Sequence, residues 1–181
     1  LPPVPQFMPR QIEKGFAMRY LFPCECEIDS ETGRYVLSCY SPSAVAEGNT
    51  LQKAKEEMQD LLLLILGDCI QFHEKFPGPA PLSGKRKEEV VTFSHLQTLK
   101  VQLINAMVEK NWRPVDLATS MHITRQEASR ILSPRAPTKF ETIAEALEVL
   151  GYRLDTTAVP VNNTTKRTLR RACASANLLS L

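Results

Sequence analysis

Four helix-start signals follow one another between Ser94 and Leu154, and they leave this part of the chain few folds to choose from. Ser94-x-x-Gln97 and Thr124-x-x-Glu127 have the form of capping boxes, in which a hydroxyl and a longer polar side chain satisfy each other's backbone N–H groups. Pro114 suits a first helical position, where its missing N–H costs nothing. Thr138-x-x-Glu141 repeats the box and predicts a last helix that Gly151 stops. Behind each signal, apolar residues recur at helical spacing. They are Leu96, Leu99, Leu103, Ile104 and Met107, then Leu117, Ala118 and Met121, then Ala128, Ile131 and Leu132, and last Phe140, Ile143, Ala144, Leu147 and Leu150. Helices this short do not hold in water alone, so they must bury those stripes against one another.

The centre of this region, Val115–Leu132, reads as two short helices joined by a tight turn, with Ile123 packed under the turn. The second helix leaves Arg125, Gln126, Ser129 and Arg130 outward. That residue set can read base edges: Arg forks onto guanine, Gln pairs bidentately with adenine, and a hydroxyl serves either. The pattern predicts a helix-turn-helix whose second helix enters the major groove. Thr124, Arg125, Gln126, Ser129 and Arg130 are its candidate DNA contacts, with Arg135, Thr138 and Lys139 beside them. A helical bundle with merely solvated arginines is the bland alternative. From Lys110 to Lys139, six Lys/Arg stand against Asp116 and Glu127, net +4, and this basic surface favours nucleic acid. His122 occupies the turn position that usually holds Gly and must take a left-handed conformation.

Upstream, the period changes from helical to two. In Arg19–Ile28 the residues Tyr20, Phe22, Cys24, Cys26 and Ile28 share one face, which predicts a half-buried strand. Pro23 cannot donate to a ladder and argues for an edge position or a bulge. Asp29–Gly33 is a turn cluster and Arg34–Tyr40 a second strand, so the two form a hairpin, with Ala44–Ala46 as a short third strand. Thr50 then starts a helix from Leu51 to about Phe76. Its LLLLIL run at 61–66 is apolar all round and must bury both faces, against the chain itself or against a foreign partner. Residues 77–88 have linker composition, and Val90–Phe93 is a strand returning to the sheet.

The expected fold is therefore α+β: a small ββ(β)αβ unit at 18–93, then an all-α helix-turn-helix domain at 94–157. A strand within Tyr152–Val161 could pair with a symmetry mate. Residues 1–17 read as a leader or remnant ahead of Met18, or as a native arm, and 158–181 as a basic tail.

Charge divides along the same line. Residues 18–76 hold five Lys/Arg against ten Asp/Glu, net −5, whereas 94–181 hold twelve against seven, net +5. Opposite signs suggest two partners, with nucleic acid on the basic side, or halves that attract each other. The five cysteines lack zinc spacing and read as reduced thiols, so no metal or other cofactor is expected. No apolar run approaches the ~20 residues of a membrane span, and no secretory signal is visible, which makes the cytoplasm the expected location.

Several strings resemble the HicB family of antitoxins: MRY at 18–20, TGRYVLS at 32–38, EGNTLQKAKEEMQDLL at 47–62 and PAPLS in the linker. LINAMVEKNWRPVDLA at 103–118 and RQEASRIL…PTKFETIAEALEVLGYRL at 125–154 resemble its helix-turn-helix type. The similarity covers about residues 18–157. It implies a partial ribonuclease-H-like N-terminal domain that neutralises a small basic mRNA-cleaving toxin, HicA. It also implies a C-terminal domain that forms a homodimer or higher even oligomer and represses the operon at its operator DNA. The sequence departs from the family at His122 and at Ser43-Ala44, where an Asp-Ile-Pro segment is frequent. Although the implied sheet invites a nuclease reading, only Glu25 and Glu27 share a strand face. No third carboxylate joins them to hold a divalent metal, so no enzyme is expected. A transcription regulator without a toxin, its N-terminal half sensing a ligand or oligomerising, is the competing reading.

Overall fold

A computed structural model describes residues 20–81 and 88–154. Three strands come first: β1 (Leu21–Ile28), β2 (Tyr35–Tyr40) and β3 (Ser43–Gly48). Helix α1 (Leu51–Phe72) and strand β4 (Glu88–Thr92) follow, then α2 (His95–Glu109), α3 (Pro114–Ser120), α4 (Arg125–Leu132) and α5 (Phe140–Val149). The sheet is antiparallel throughout, in the order β3-β2-β1-β4. Asp29 organises the β1–β2 turn: its Oδ1 accepts the N–H groups of Glu31 (2.7 Å) and Thr32 (3.0 Å). Gly33 closes the turn at φ +67°. Calls for an α+β chain with strands first and short helices last agree with this architecture.

Pro23 corrects one expectation, because β1 is an inner strand rather than an edge. The Phe93 N–H donates to the Tyr20 carbonyl, and antiparallel alternation from there turns the Pro23 nitrogen away from β4, toward β2. Pairing with β2 begins only at Cys24, opposite Cys39. The missing donor thus falls just past the end of that ladder and leaves no bond unmade.

Thr50 caps α1, its hydroxyl accepting the Lys53 N–H at 3.2 Å. The helix lies across β3, β2 and β4 and buries Ala54, Met58, Leu62, Leu63, Leu66 and Cys69. It ends at Phe72, short of Phe76, because His73 takes a left-handed conformation (φ 58°). Phe76 turns back into the core instead. Asn105 of α2 holds it there, accepting the Phe76 N–H (2.8 Å) and donating to its carbonyl (3.3 Å). The rings of Phe22, Phe76 and Phe93 meet at this junction with centroids 4.9–6.1 Å apart. One buried cluster continues from the sheet through these rings into Leu103, Leu117, Leu132 and Ile143. Each such side chain contributes about 1.5–3 kcal/mol by leaving water.

The capping boxes at Ser94 and Thr124 form as the spacing predicts. The third does not. Thr138 donates to the Ala136 carbonyl at 3.4 Å, and Lys139 becomes the N-cap of α5 without a side-chain bond. Phe140, expected inward, is 43% exposed. Ile28, though on the helix-side face of β1, extends past the core and is also exposed. The suggested strand at Tyr152–Val161 falls mostly outside the described residues, as do 1–17 and the basic tail. Among the described residues no helix is long and apolar enough to cross a membrane.

Candidate nucleic-acid interface

Helix α3 begins at Pro114, where the Asp116 carboxylate accepts the Arg113 N–H at 2.7 Å. Leu117 and Ala118 point inward. The chain then reverses in a few residues: Met121 N–H donates to the Leu117 carbonyl, His122 sits at φ 54°, and Ile123 N–H returns to the Ala118 carbonyl at 3.0 Å. The left-handed His122 is the geometry its sequence position requires.

At the start of α4, Thr124 and Glu127 satisfy each other. The Thr124 hydroxyl accepts the Glu127 N–H (3.2 Å), while Glu127 Oε2 accepts the Thr124 N–H (2.9 Å) and hydroxyl (2.8 Å). The Thr124 N–H, and then its hydroxyl, hold the Glu127 carboxyl below its ordinary pKa. The acid is thereby turned back onto the cap. Arg125, Gln126, Ser129 and Arg130 are all exposed and lie within an arc of about 140° at 100° per residue. Ala128, Ile131 and Leu132 bury the opposite side.

Lys100, which its sequence position did not single out, is the other functional feature here. It sits on the buried stripe of α2 at 0% exposure. Its Nζ donates to the carbonyls of Ser133 (2.5 Å) and Ala136 (2.6 Å), in the loop that joins α4 to α5. Burial pulls the ammonium down to about 8. The signal was present in the sequence, since position 100 falls one turn after Leu96 and just ahead of Leu103, among the inward residues. The clamped loop carries Arg135, whose guanidinium reaches Asp60 of α1 at 3.2 Å. Lys139 is exposed at the start of α5, and Thr138 is half-buried. Thus Arg125, Gln126, Ser129 and Arg130 are brought together on α4, and Arg135, Thr138 and Lys139 lie along the loop beyond it.

An open groove of about 700 Å³ runs between β3 and α1, with Val45, Leu61, Leu64, Glu57, Asp60 and Arg135 along it. The LLLLIL run is buried on one side only: Leu62, Leu63 and Leu66 are covered, whereas Leu64 is 58% exposed.

No protein-family model matches the chain. It is 32% identical over 142 residues to Antitoxin HicB 2 of Photorhabdus laumondii, covering 78% of this chain and 97% of that one. Antitoxin HicB 1 of the same organism is 27% identical over 145 residues, covering 77% and 91%. Antitoxin HicB of Escherichia coli K12 is 28% identical over 123 residues, covering 67% and 88%. The matched stretches take in most of this chain and nearly all of the Photorhabdus proteins, and the chain belongs to the HicB antitoxin family.

Proposed function

We propose that this chain is an antitoxin that neutralises a small HicA-like, mRNA-cleaving toxin by direct binding and represses its own operon as a DNA-binding homodimer or higher even oligomer. The observation that carries the reading is the 32% identity to Antitoxin HicB 2, which extends over 97% of that protein. In this reading residues 18–93 form a partial ribonuclease-H-like unit that takes the toxin. Residues 94–157 form the helix-turn-helix domain that takes the operator, and the protein acts in the cytoplasm without catalysis of its own.

The α3–turn–α4 unit supports the second half of the reading. It exposes two arginines, a glutamine and a serine on α4 while burying the opposite stripe. One such unit reads only a half-site, and half-sites lie about 34–36 Å apart on the duplex, so a dimer is required. Arg125, Gln126, Ser129 and Arg130 then meet bases, with Thr124 at the helix start. Arg135, Thr138 and Lys139 meet phosphate, where the α5 N-terminus adds its dipole.

Co-expression of the chain with the toxin encoded beside it tests this function, read by growth rescue, co-purification and a gel shift on the chain's own promoter. Rescue together with a promoter-specific shift is the expected result. A shift without rescue or co-purification would leave a regulator without a toxin.

A further inference from the structure

The sheet has two faces, and α1 covers only one. Register settles which residues lie on the other: Glu25 pairs with Ser38 and Glu88, Glu27 with Val36, Val36 with Glu47, and Ser38 with Val45. Partners across a ladder share a face, so Glu25, Glu27, Glu47 and Glu88 project together from the side away from α1. Tyr40 and Val45 stand among them, 70% and 59% exposed. No strand position on this face is Lys or Arg. Among the described residues, α1 is the helix that packs against the strands, and it does so from the other side.

A solvated antiparallel face is ordinarily polar, but it gains stability by setting opposite charges across from each other. Here Glu25 and Glu88 are directly opposite, a like-charged pair that costs stability. Tyr40 donates to Glu25 at 2.7 Å, which fixes the carboxylate and ring side by side. The groove between β3 and α1 is different: two of its carboxylates, Glu47 at the rim and Asp60, already meet Arg34 and Arg135. Fixed acids beside an exposed aromatic ring suit a cationic protein surface, and their sign repels nucleic acid.

We propose that this open sheet face docks a protein partner whose contact surface is rich in Lys and Arg. Given the antitoxin reading on which this rests, that partner is the toxin. Aromatic and aliphatic contacts with Tyr40 and Val45 supply the apolar centre, and Glu25, Glu27, Glu47 and Glu88 supply the charged surround.

The test uses the full chain and the toxin encoded beside it, with affinity measured at several salt concentrations. Glu27→Lys with Glu47→Lys changes two exposed positions and leaves the core intact. Toxin affinity should fall about 100-fold, with a flatter salt dependence, while promoter binding stays unchanged. Tyr40→Ala should cost about tenfold. A wild-type chain that binds the toxin, beside a folded double variant that binds it within twofold, overturns the proposal and leaves the antitoxin reading standing. A wild-type chain that binds no toxin removes both. Deletion of residues 162–181 that raised toxin affinity tenfold or more would seat the chain's own Lys166, Arg167, Arg170 and Arg171 on the face and also overturn it.

Discussion

The ammonium of Lys100 is bound to the carbonyl of Ser133 at 2.5 Å, across the interface between α2 and the end of α4. Ser133 is the C-cap of α4, so a cation sits at the negative end of the helix proposed to read DNA. The second bond, to Ala136, ties down the loop that carries Arg135. A single side chain thus fixes both the base-reading helix and a phosphate-facing arginine.

That contact has a pH signature. Burial lowers the Lys100 pKa from 10.5 to about 8, so between these values the unfolded chain holds the extra proton. Stability must therefore rise with pH through this window, and the full cost of the buried charge is felt below it. The gap corresponds to about 3 kcal/mol. Urea melts of wild type and Lys100→Met from about pH 7.5 to 10 should show the wild type gaining roughly 2–3 kcal/mol on the variant. A difference that stays flat with pH would mean that Lys100 titrates normally.

Gly48 makes a separate structural prediction. A Cβ there would lie 2.3 Å from the Ala54 nitrogen and 2.8 Å from the Lys53 carbonyl carbon, both backbone atoms that cannot swing aside. Gly48→Ala should cost about 2–4 kcal/mol by forcing β3 and α1 apart. Gly33→Ala meets nothing within 4 Å and bears only its positive φ, so it should cost about 1 kcal/mol. Denaturant midpoints for the two variants check the order. Equal losses would mean that the strand–helix approach is soft.

What could be read from the sequence follows the range of the interaction concerned. The boxes at Ser94 and Thr124 are closed within four residues, and so they are legible. Thr138 shows the same spacing, but its hydroxyl turns to the Ala136 carbonyl, and Lys100 holds that carbonyl from 36 residues away. Pro23 was misplaced because the point at which the β2 ladder stops is set by pairing, not by local pattern. Lys100 and Asp60 became functional candidates only through partners far along the chain, Ser133 and Arg135. The exposed α4 residues were legible because helical spacing alone separates them from Ala128, Ile131 and Leu132.

The Asp60–Arg135 bridge joins the acidic half to the basic one. Both side chains are largely exposed, so the pair is worth at most about 1 kcal/mol. If Arg135 holds phosphate, Asp60 competes for it. Asp60→Asn should raise promoter affinity by up to about fivefold at low salt. The gain should vanish in an Arg135→Ala background and shrink as salt increases. An equal gain with and without Arg135 would show that Asp60 acts only through net charge.

The division between base reading and phosphate holding yields the most direct test of α4. Gln126 is exposed in the first turn of α4, the part of a recognition helix that reaches deepest into the major groove. Lys139 is exposed at the N-cap of α5, where the helix dipole already favours an anion. Gln126→Ala should therefore cost roughly 1–3 kcal/mol on the chain's own operator and relax the preference at one base pair. Lys139→Ala should weaken cognate and scrambled duplexes alike and lower the slope of log affinity against log salt by about one. Isotherms on both duplexes at several salt concentrations separate the two behaviours, with circular dichroism to confirm the fold. The side chains differ in charge, so salt dependence is the sharper readout: an amide releases no counterions, whereas an ammonium does. If Gln126→Ala lost affinity equally on both duplexes, α4 would be holding backbone rather than reading sequence, and the base contacts would have to be sought elsewhere on the domain.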